Sequence, residues 1–320
     1  MGKFLTGLMV WVCAAMALPA AAQDKLNLFI ATGPTSGVYY PLGGGMADIL
    51  TKHVANLNVT AGTTAGSVAN LQLMQNKRAD VALSMADVSW DAYKGQEKFA
   101  TGAIQVRALM VLYPNRMHVV TVEGTGINKF ADLRGKRVST GAVNSATEVM
   151  ASRLIEAHGM SIKDFIQERL DPGRSADAIK DRKLDAFFWV GGVPTSSVTD
   201  LAATPGVKIK LIDHDDGVEN MVKKYGPLYV KDAIPAKSYP GQEQNNRIAT
   251  VWNVLIARAD VPDEVAYNIV KTMFERKEDM MRVHAEARNF DLKFQTNAAA
   301  VIPFHPGAAR YLNEKGAKVK

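Results

Sequence analysis

The chain has 320 residues, 47% of them hydrophobic and 22% charged, a globular balance that excludes a disordered chain, a collagen-like repeat and a bulk coiled coil. The net charge of +6 and a pI near 9.2 come from scattered lysines and arginines, with no basic stripe interleaved with aromatics, so a nucleic-acid surface is excluded too. The mild positive excess suits solubility or attraction to anionic ligands.

In chain order, Lys3 comes first, followed by a charge-free apolar stretch from Phe4 to Leu18 and then Pro19-Ala20-Ala21-Ala22. This pattern predicts a secretory signal over residues 1–22, cleaved near Ala22, and a periplasmic product. The only cysteine, Cys13, lies inside that signal, so the mature chain is expected to rely on its core without disulfides. No later run approaches the roughly 18 apolar residues of a spanning helix, so the cleaved chain is not expected to cross a membrane.

From Leu26 onward short apolar runs alternate with amphipathic stretches, the signature of an α/β architecture with mostly parallel strands. Strands are predicted at residues 26–31, 58–61, 80–84, 107–113, 118–122, 137–140, 185–190, 208–212 and 250–258. Helical spacing marks Leu42, Met46, Ile49 and Leu50, and again Val149, Leu154 and Ile155 before the stop at Gly159. Residues 213–246, rich in glycine and proline, read as a loop-rich excursion.

One device occurs twice. The strand ending at Ala31 runs into Thr32-Gly33-Pro34-Thr35-Ser36-Gly37 and a helix, and the strand ending at Ser139 runs into Thr140-Gly141-Ala142-Val143-Asn144-Ser145 and a helix. Such loops lie at the carboxyl ends of strands, where ligands bind in open α/β sheets. The two copies predict two lobes around a central cleft: residues 23–114 with 250–320 as lobe I and residues 115–249 as lobe II. The helix starts offer backbone N–H donors and a partial positive charge to a carboxylate or phosphate. Two opposed ends favour a ligand with two acidic groups.

Individual side chains carry alternatives. Ser36 and Thr35 face a ligand or cap a helix; of the adjacent Tyr39 and Tyr40 only one reaches the cleft, and Tyr40 is chosen. Ser67 is positioned to cap the helix after Thr63-Thr64-Ala65-Gly66. Asp87 binds a ligand amine or is a cap or solvated acid, and Arg174 pairs a carboxylate or is a surface residue. A dinucleotide site fails, because neither G-x-G-x-x-G nor a Walker lysine is present in the first loop and the strand at 58–61 does not end in an acid. No cofactor is expected. The chain lacks G-x-S-x-G and H-E-x-x-H, and its six histidines are dispersed, so no catalytic set and no metal site are expected. Asp213-His214-Asp215-Asp216 is the one cluster with cation-ligand chemistry, and it reads better as a solvated loop.

Five segments together, ATGPTSGVYYPLGGGMADIL, TTAGSVANLQLMQNKRADVALSMAD, FADLRGKRVSTGAVNSAT, LDAFFWVGGVP and PFHPGAARYLNEKG, resemble the TAXI family of solute receptors for tripartite ATP-independent periplasmic (TRAP) transporters. The resemblance spans essentially the whole mature chain. It implies a type II periplasmic-binding-protein fold that closes on a small carboxylate, such as glutamate or a 2-oxoglutarate-like acid, and delivers it to membrane permease subunits without catalysing a reaction. It maps the ligand contacts onto Gly33, Thr35, Ser36, Gly37 and Tyr40, onto Thr64 and Ser67, and onto Asn144, Ser145, Thr147 and Gly192. Two departures stand out: Pro34 replaces a glycine and removes an amide donor, and Trp189 with doubled Gly191-Gly192 alters the distal turn. The alternatives are a receptor for an ATP-driven importer of the thiamine-precursor or sulfonate type, a sensor receptor presenting ligand to a membrane kinase, and a periplasmic enzyme with Asp87 or His118 as base.

Overall fold

The structure is a computed structural model that describes residues 25–320. The expected signal, its cleavage point at Ala22 and Cys13 lie outside the described residues. Among the described residues no helix is long and apolar enough to cross a membrane.

The first half of the sheet follows the expected rhythm. Strand β1 (Leu26–Ala31) leads to α1 (Tyr39–His53), β2 (Leu57–Gly62) to α2 (Ser67–Gln75), and β3 (Val81–Met85) directly to α3 (Ala86–Lys94). Strand β1 pairs in parallel with both β2 and β3. All five residues of β3 are buried, because helices cover both faces of the sheet there.

Strand β4 (Val106–Val122) then carries the chain out of this half. The sequence pattern predicts two strands here, at 107–113 and 118–122, because Pro114-Asn115-Arg116 breaks the apolar run. In the fold they are one 17-residue strand. The second half contains β5 (Arg137–Ser139), α4 (Ala146–Ala157), β6 (Ile166–Glu168), α5 (Pro172–Lys180), β7 (Ala186–Gly191), α6 (Ser196–Ala202) and β8 (Ile209–Leu211). Strand β6 escapes the sequence reading because it is three residues long and largely exposed, so it has no apolar run to announce it.

The segment read as a loop-rich excursion holds α7 (Val218–Tyr225) and β9 (Val230–Ile234). Val218 and Met221, three residues apart, bury one face of α7, and β9 is a sheet edge that takes its order from pairing with the next strand. That strand, β10 (Asn246–Arg258), returns the chain to the first half, where α8 (Asp263–Glu275), α9 (Lys277–Val283), α10 (Asn297–Ala300) and α11 (Pro306–Glu314) complete it.

The strand order is β2-β1-β3-β10-β4-β7-β5-β6, with β8 on β4 and β9 on β10. The outer strands are parallel as expected, whereas β10 runs antiparallel to β3, β4 and β9, and β4 antiparallel to β7 and β8. The correction has a simple cause: β4 leaves the first half and β10 comes back, so the two crossing strands must oppose each other. Their register shifts between Trp252 and Val254, opposite Pro114 and Val111, in the middle of the crossing. Residues 114 and 115 fall inside β4, and residues 249 and 250 inside β10.

Burial follows the pleat. Along β7, Ala186, Phe188 and Val190 join the large core, while Phe187 and Trp189 point to a second cluster with Ile179, Val198, Leu201 and Ile248. Both faces of the sheet are thereby covered, and the ends of its strands are the places left for a ligand.

Candidate functional site

A cavity of about 30 Å³ lies between the two halves at the crossing of β4 and β10. The first half contributes Pro34, Gly37, Val38 and Tyr39 from the entry to α1, Ala65, Gly66 and Ser67 from the entry to α2, and Met85 from the end of β3. Strand β4 contributes Tyr113 and Asn115. The second half faces them with Ser145, Ala146 and Thr147 from the start of α4 and Trp189, Val190 and Gly191 from β7.

The N-termini of α1, α2 and α4 therefore converge on one point from both halves. Ser145 is the N-cap of α4, its hydroxyl accepting from the Glu148 amide at 3.1 Å. Ser67 accepts from the Met85 amide at 3.0 Å and ties α2 to the end of β3. Among the described residues the wall contains no ionised side chain, and the helix ends direct their partial positive charge at the cavity. Two buried polar atoms of the wall have no hydrogen-bond partner among the described residues: the Tyr113 hydroxyl and Asn115 Oδ1. Burial raises Tyr113 well above the ordinary tyrosine range, so its hydroxyl keeps its proton and can donate.

The halves touch around the cavity. The Ala69 amide donates to the Asn144 carbonyl at 3.1 Å, and the Ser196 hydroxyl to the Ser36 carbonyl at 3.0 Å. Lys98 lies 3.5 Å from Glu148. Deeper, Arg153 of α4 meets Asp91 at 2.5 Å and Asp87 at 3.6 Å, both on α3, with side-chain exposures of 5% or less.

Of the residues proposed from sequence, the structure brings Gly37, Ser67, Ser145 and Thr147 to the cavity wall. Gly33 packs beside the Tyr39 side chain, and Thr35 is exposed. Ser36 works through its carbonyl in the contact with Ser196. Thr64 braces the β2–α2 turn, donating to Asn70 Oδ1 at 2.6 Å and accepting from the Gly66 amide at 3.0 Å. Asn144 takes a positive φ of 63° and offers its carbonyl to Ala69. Gly192 sits one residue behind the wall, where a side chain would strike Glu286 and Tyr113.

The choice between the tyrosines is corrected: Tyr39 lines the cavity and hydrogen-bonds Asn253, whereas Tyr40 is 43% exposed. The spacing already contained the answer, since Tyr39 is in helical phase with the buried Leu42 and Met46. Tyr113, Asn115 and Met85 were missed because nothing local distinguishes them; the polar Asn115 within the long apolar run of β4 was the one available signal. Asp87 is no ligand for an amine in the cavity: it is fully buried, accepts from Tyr229 at 2.7 Å and pairs with Arg153. Arg174 is exposed and pairs with the helix-capping Asp171.

His118 is buried between Tyr239, at 2.8 Å, and the Arg116 carbonyl, and burial lowers it to about 4. It is held neutral behind the wall rather than at it. In the acidic cluster, Asp213 pairs with Arg247 and Asn246, and Asp216 with His158.

A family model described as NMT1-like matches residues 30–316. The chain belongs to the NMT1-like family. Among solved structures, this NMT1-like chain resembles the alkanesulfonate-binding protein SsuA from Xanthomonas axonopodis pv. citri bound to MOPS, at 13% identity and a TM-score of 0.53, over 91% of this chain and 85% of that one. It also resembles a periplasmic transporter, at 11% identity and a TM-score of 0.55, over 84% and 88%. A third likeness is to Tv2483 bound to L-arginine, at 13% identity and a TM-score of 0.51, over 82% and 90%. These likenesses show the periplasmic-binding-protein fold expected from the sequence.

Proposed function

We propose that this NMT1-like protein is an extracytoplasmic solute receptor that holds a small organic anion, a carboxylate or sulfonate, between its two halves and delivers it to a membrane importer. The observation that carries the reading is the convergence of three helix N-termini from opposite halves on one cavity that also holds two unpartnered buried polar atoms, the Tyr113 hydroxyl and Asn115 Oδ1. Helix ends would bind the acidic group, the Tyr113 hydroxyl would donate to it, and Asn115 Oδ1 would accept from a hydroxyl or amine on the same ligand. The ligand favours closure only because it contacts both halves.

The wall's serine hydroxyls are engaged as cap and brace, burial keeps the Tyr113 hydroxyl protonated, and the neutral His118 lies behind the wall, so no base is poised in it. A binding role without turnover follows. Likeness to an alkanesulfonate-binding protein fits the alternative drawn from the sequence, a receptor for an ATP-driven importer of the sulfonate type. The TRAP reading, with its dicarboxylate or glutamate ligand, rests on the five segments in TAXI order; the absence of any ionised side chain in the wall weighs against two full acidic charges.

Native mass spectrometry of the purified protein, followed by thermal-shift titration with carboxylates, amino acids and alkanesulfonates, tests the proposal. Stabilisation by at least one small anion is expected, and no stabilisation by any member would refute it. In Tyr113→Phe the unliganded protein should be as stable as wild type or more so, because an unsatisfied buried hydroxyl is removed, while anion affinity falls about three- to tenfold. Co-purification with an ATPase-driven permease or with a TRAP permease decides the partner.

A further inference from the structure

The distal-turn departure noted in the sequence, Trp189 with Gly191 and Gly192, has a structural counterpart. Trp189 lies on β7 in the second half, but the edge of its ring crosses the cavity to the opposite half: a Cβ added at Gly37 would lie 2.9 Å from Cη2 and 3.1 Å from Cζ2. On its own side, a Cβ at Gly191 would lie 2.3 Å from Nε1. Glycine on both sides is thus a steric condition for the ring's position.

The ring is also fixed. Its Nε1 donates to the Thr195 hydroxyl at 3.0 Å, that hydroxyl donates to the Gly192 carbonyl at 2.7 Å, and the Thr195 amide donates to the Tyr239 hydroxyl at 3.1 Å. Tyr239 in turn bonds His118 at 2.8 Å. Thr195 and His118 are fully buried and Tyr239 is 2% exposed, so the anchor is part of the core of the second half. A side chain so held does not swing aside without breaking buried hydrogen bonds. It bounds a cavity of about 30 Å³, which takes an acid only when the two halves part, and the fixed ring then limits how long that acid can be.

We propose that Trp189 is the specificity-determining residue of this site: its anchored ring is the wall that sets the greatest length of the bound anion. This rests on the reading of the cavity as an anion site and names the class it takes, a compact acid shorter than the five-carbon dicarboxylates implied by the family resemblance. Trimming the ring lengthens the space toward Gly37, whereas releasing its anchor leaves the length unchanged and softens the wall.

The test is calorimetric titration of wild type, Trp189→Phe, Trp189→Ala and Thr195→Val with two homologous series, the dicarboxylates from oxalate to glutarate and the alkanesulfonates from methane- to butanesulfonate. Wild type should prefer the short members. Trp189→Phe and Trp189→Ala should move the preference progressively to longer ones, by roughly tenfold or more in relative affinity per added methylene. Thr195→Val should keep the wild-type order with weaker discrimination. Circular dichroism establishes that each variant folds, and Trp189→Phe, which retains an aromatic ring, carries the test if the alanine variant does not. If both ring variants bind with the wild-type length order, the inference is overturned while the anion site stands. If wild type and every variant bind no member of either series, the anion site falls and the inference with it.

Discussion

Arg153→Met is the sharpest perturbation of the contact between the halves. Arg153 donates to Asp91 at 2.5 Å and to the Tyr229 hydroxyl at 2.8 Å, lies 3.6 Å from Asp87 and stacks over the Tyr225 ring at 4.6 Å. Methionine keeps much of the apolar stem but removes the charge, leaving two buried carboxylates, Asp87 and Asp91, without their cation. Breaking a buried ion pair from one side costs about 3–5 kcal/mol, because the remaining charge has lost both water and partner. Burial already raises Asp87 and Asp91 above the ordinary carboxylate value, and Arg153 is the largest influence opposing that shift for both. Without it they rise further, the folded variant binds protons more readily than the unfolded chain, and its stability recovers as pH falls. Urea unfolding of both proteins at pH 8 and pH 5 measures this. The expected deficit is about 3–5 kcal/mol at pH 8 and smaller at pH 5, and adding Asp87→Asn with Asp91→Asn should restore much of it. A deficit below about 0.5 kcal/mol at pH 8, the size of an ordinary surface change, would show that the cluster does not hold the halves together.

Two further predictions concern the scaffold. Burial holds His118 at about 4 against an ordinary 6.5, so the unfolded chain takes up the proton first; its contribution is complete above pH 6.5 and lost as pH falls toward 4. That loss is on the order of 3 kcal/mol, so the gap in unfolding free energy between wild type and His118→Gln should narrow by that order between pH 7 and pH 4.5, and parallel pH profiles would contradict it. In Gly307→Ala, at the start of α11, the new methyl would lie 1.9 Å from the Asp263 carbonyl oxygen of α8, a backbone atom that cannot turn away. A cost of about 1–3 kcal/mol or more should lower the Tm with anion affinity unchanged, and an unshifted Tm would mean that the two helices slide apart freely.

Periodicity made the repeated strand-loop-helix units legible. The run Phe187-Phe188-Trp189-Val190 is buried on both faces, and Leu28-Phe29-Ile30-Ala31 nearly so with Phe29 half-buried, which demands apolar residues without interruption. The break at Pro114-Asn115-Arg116 concealed the length of β4, because a crossing strand that keeps its direction while changing neighbours has no local signature. The edge strands β6 and β9 were illegible for a related reason: their order comes from a partner strand, and only one of their own residues, Ile234, is buried. At the site, the loops opening α1, α2 and α4 could be read from small polar residues at helix starts. Which atoms of those loops face the cavity could not, so Ser36, Thr64 and Asn144 turned out to hold turns and halves together.

The sequence by itself determined the α/β alternation, the periplasmic-binding-protein fold and the helix entries, while the TAXI resemblance it carries is matched at the broader level of an NMT1-like family model. The alternation and the helix entries are written in residues adjacent along the chain or at fixed helical spacing. Tertiary structure alone decided that Tyr39, Tyr113, Asn115 and Trp189 share one cavity, that Arg153 reaches across to Asp87 and Asp91, and that Gly37 is shaped to a ring 152 positions away in the chain (189 − 37). These are contacts between segments whose only relation is the crossing of β4 and β10. Local propensity carries no information about them, whereas close packing between the halves fixes them to within a fraction of an ångström.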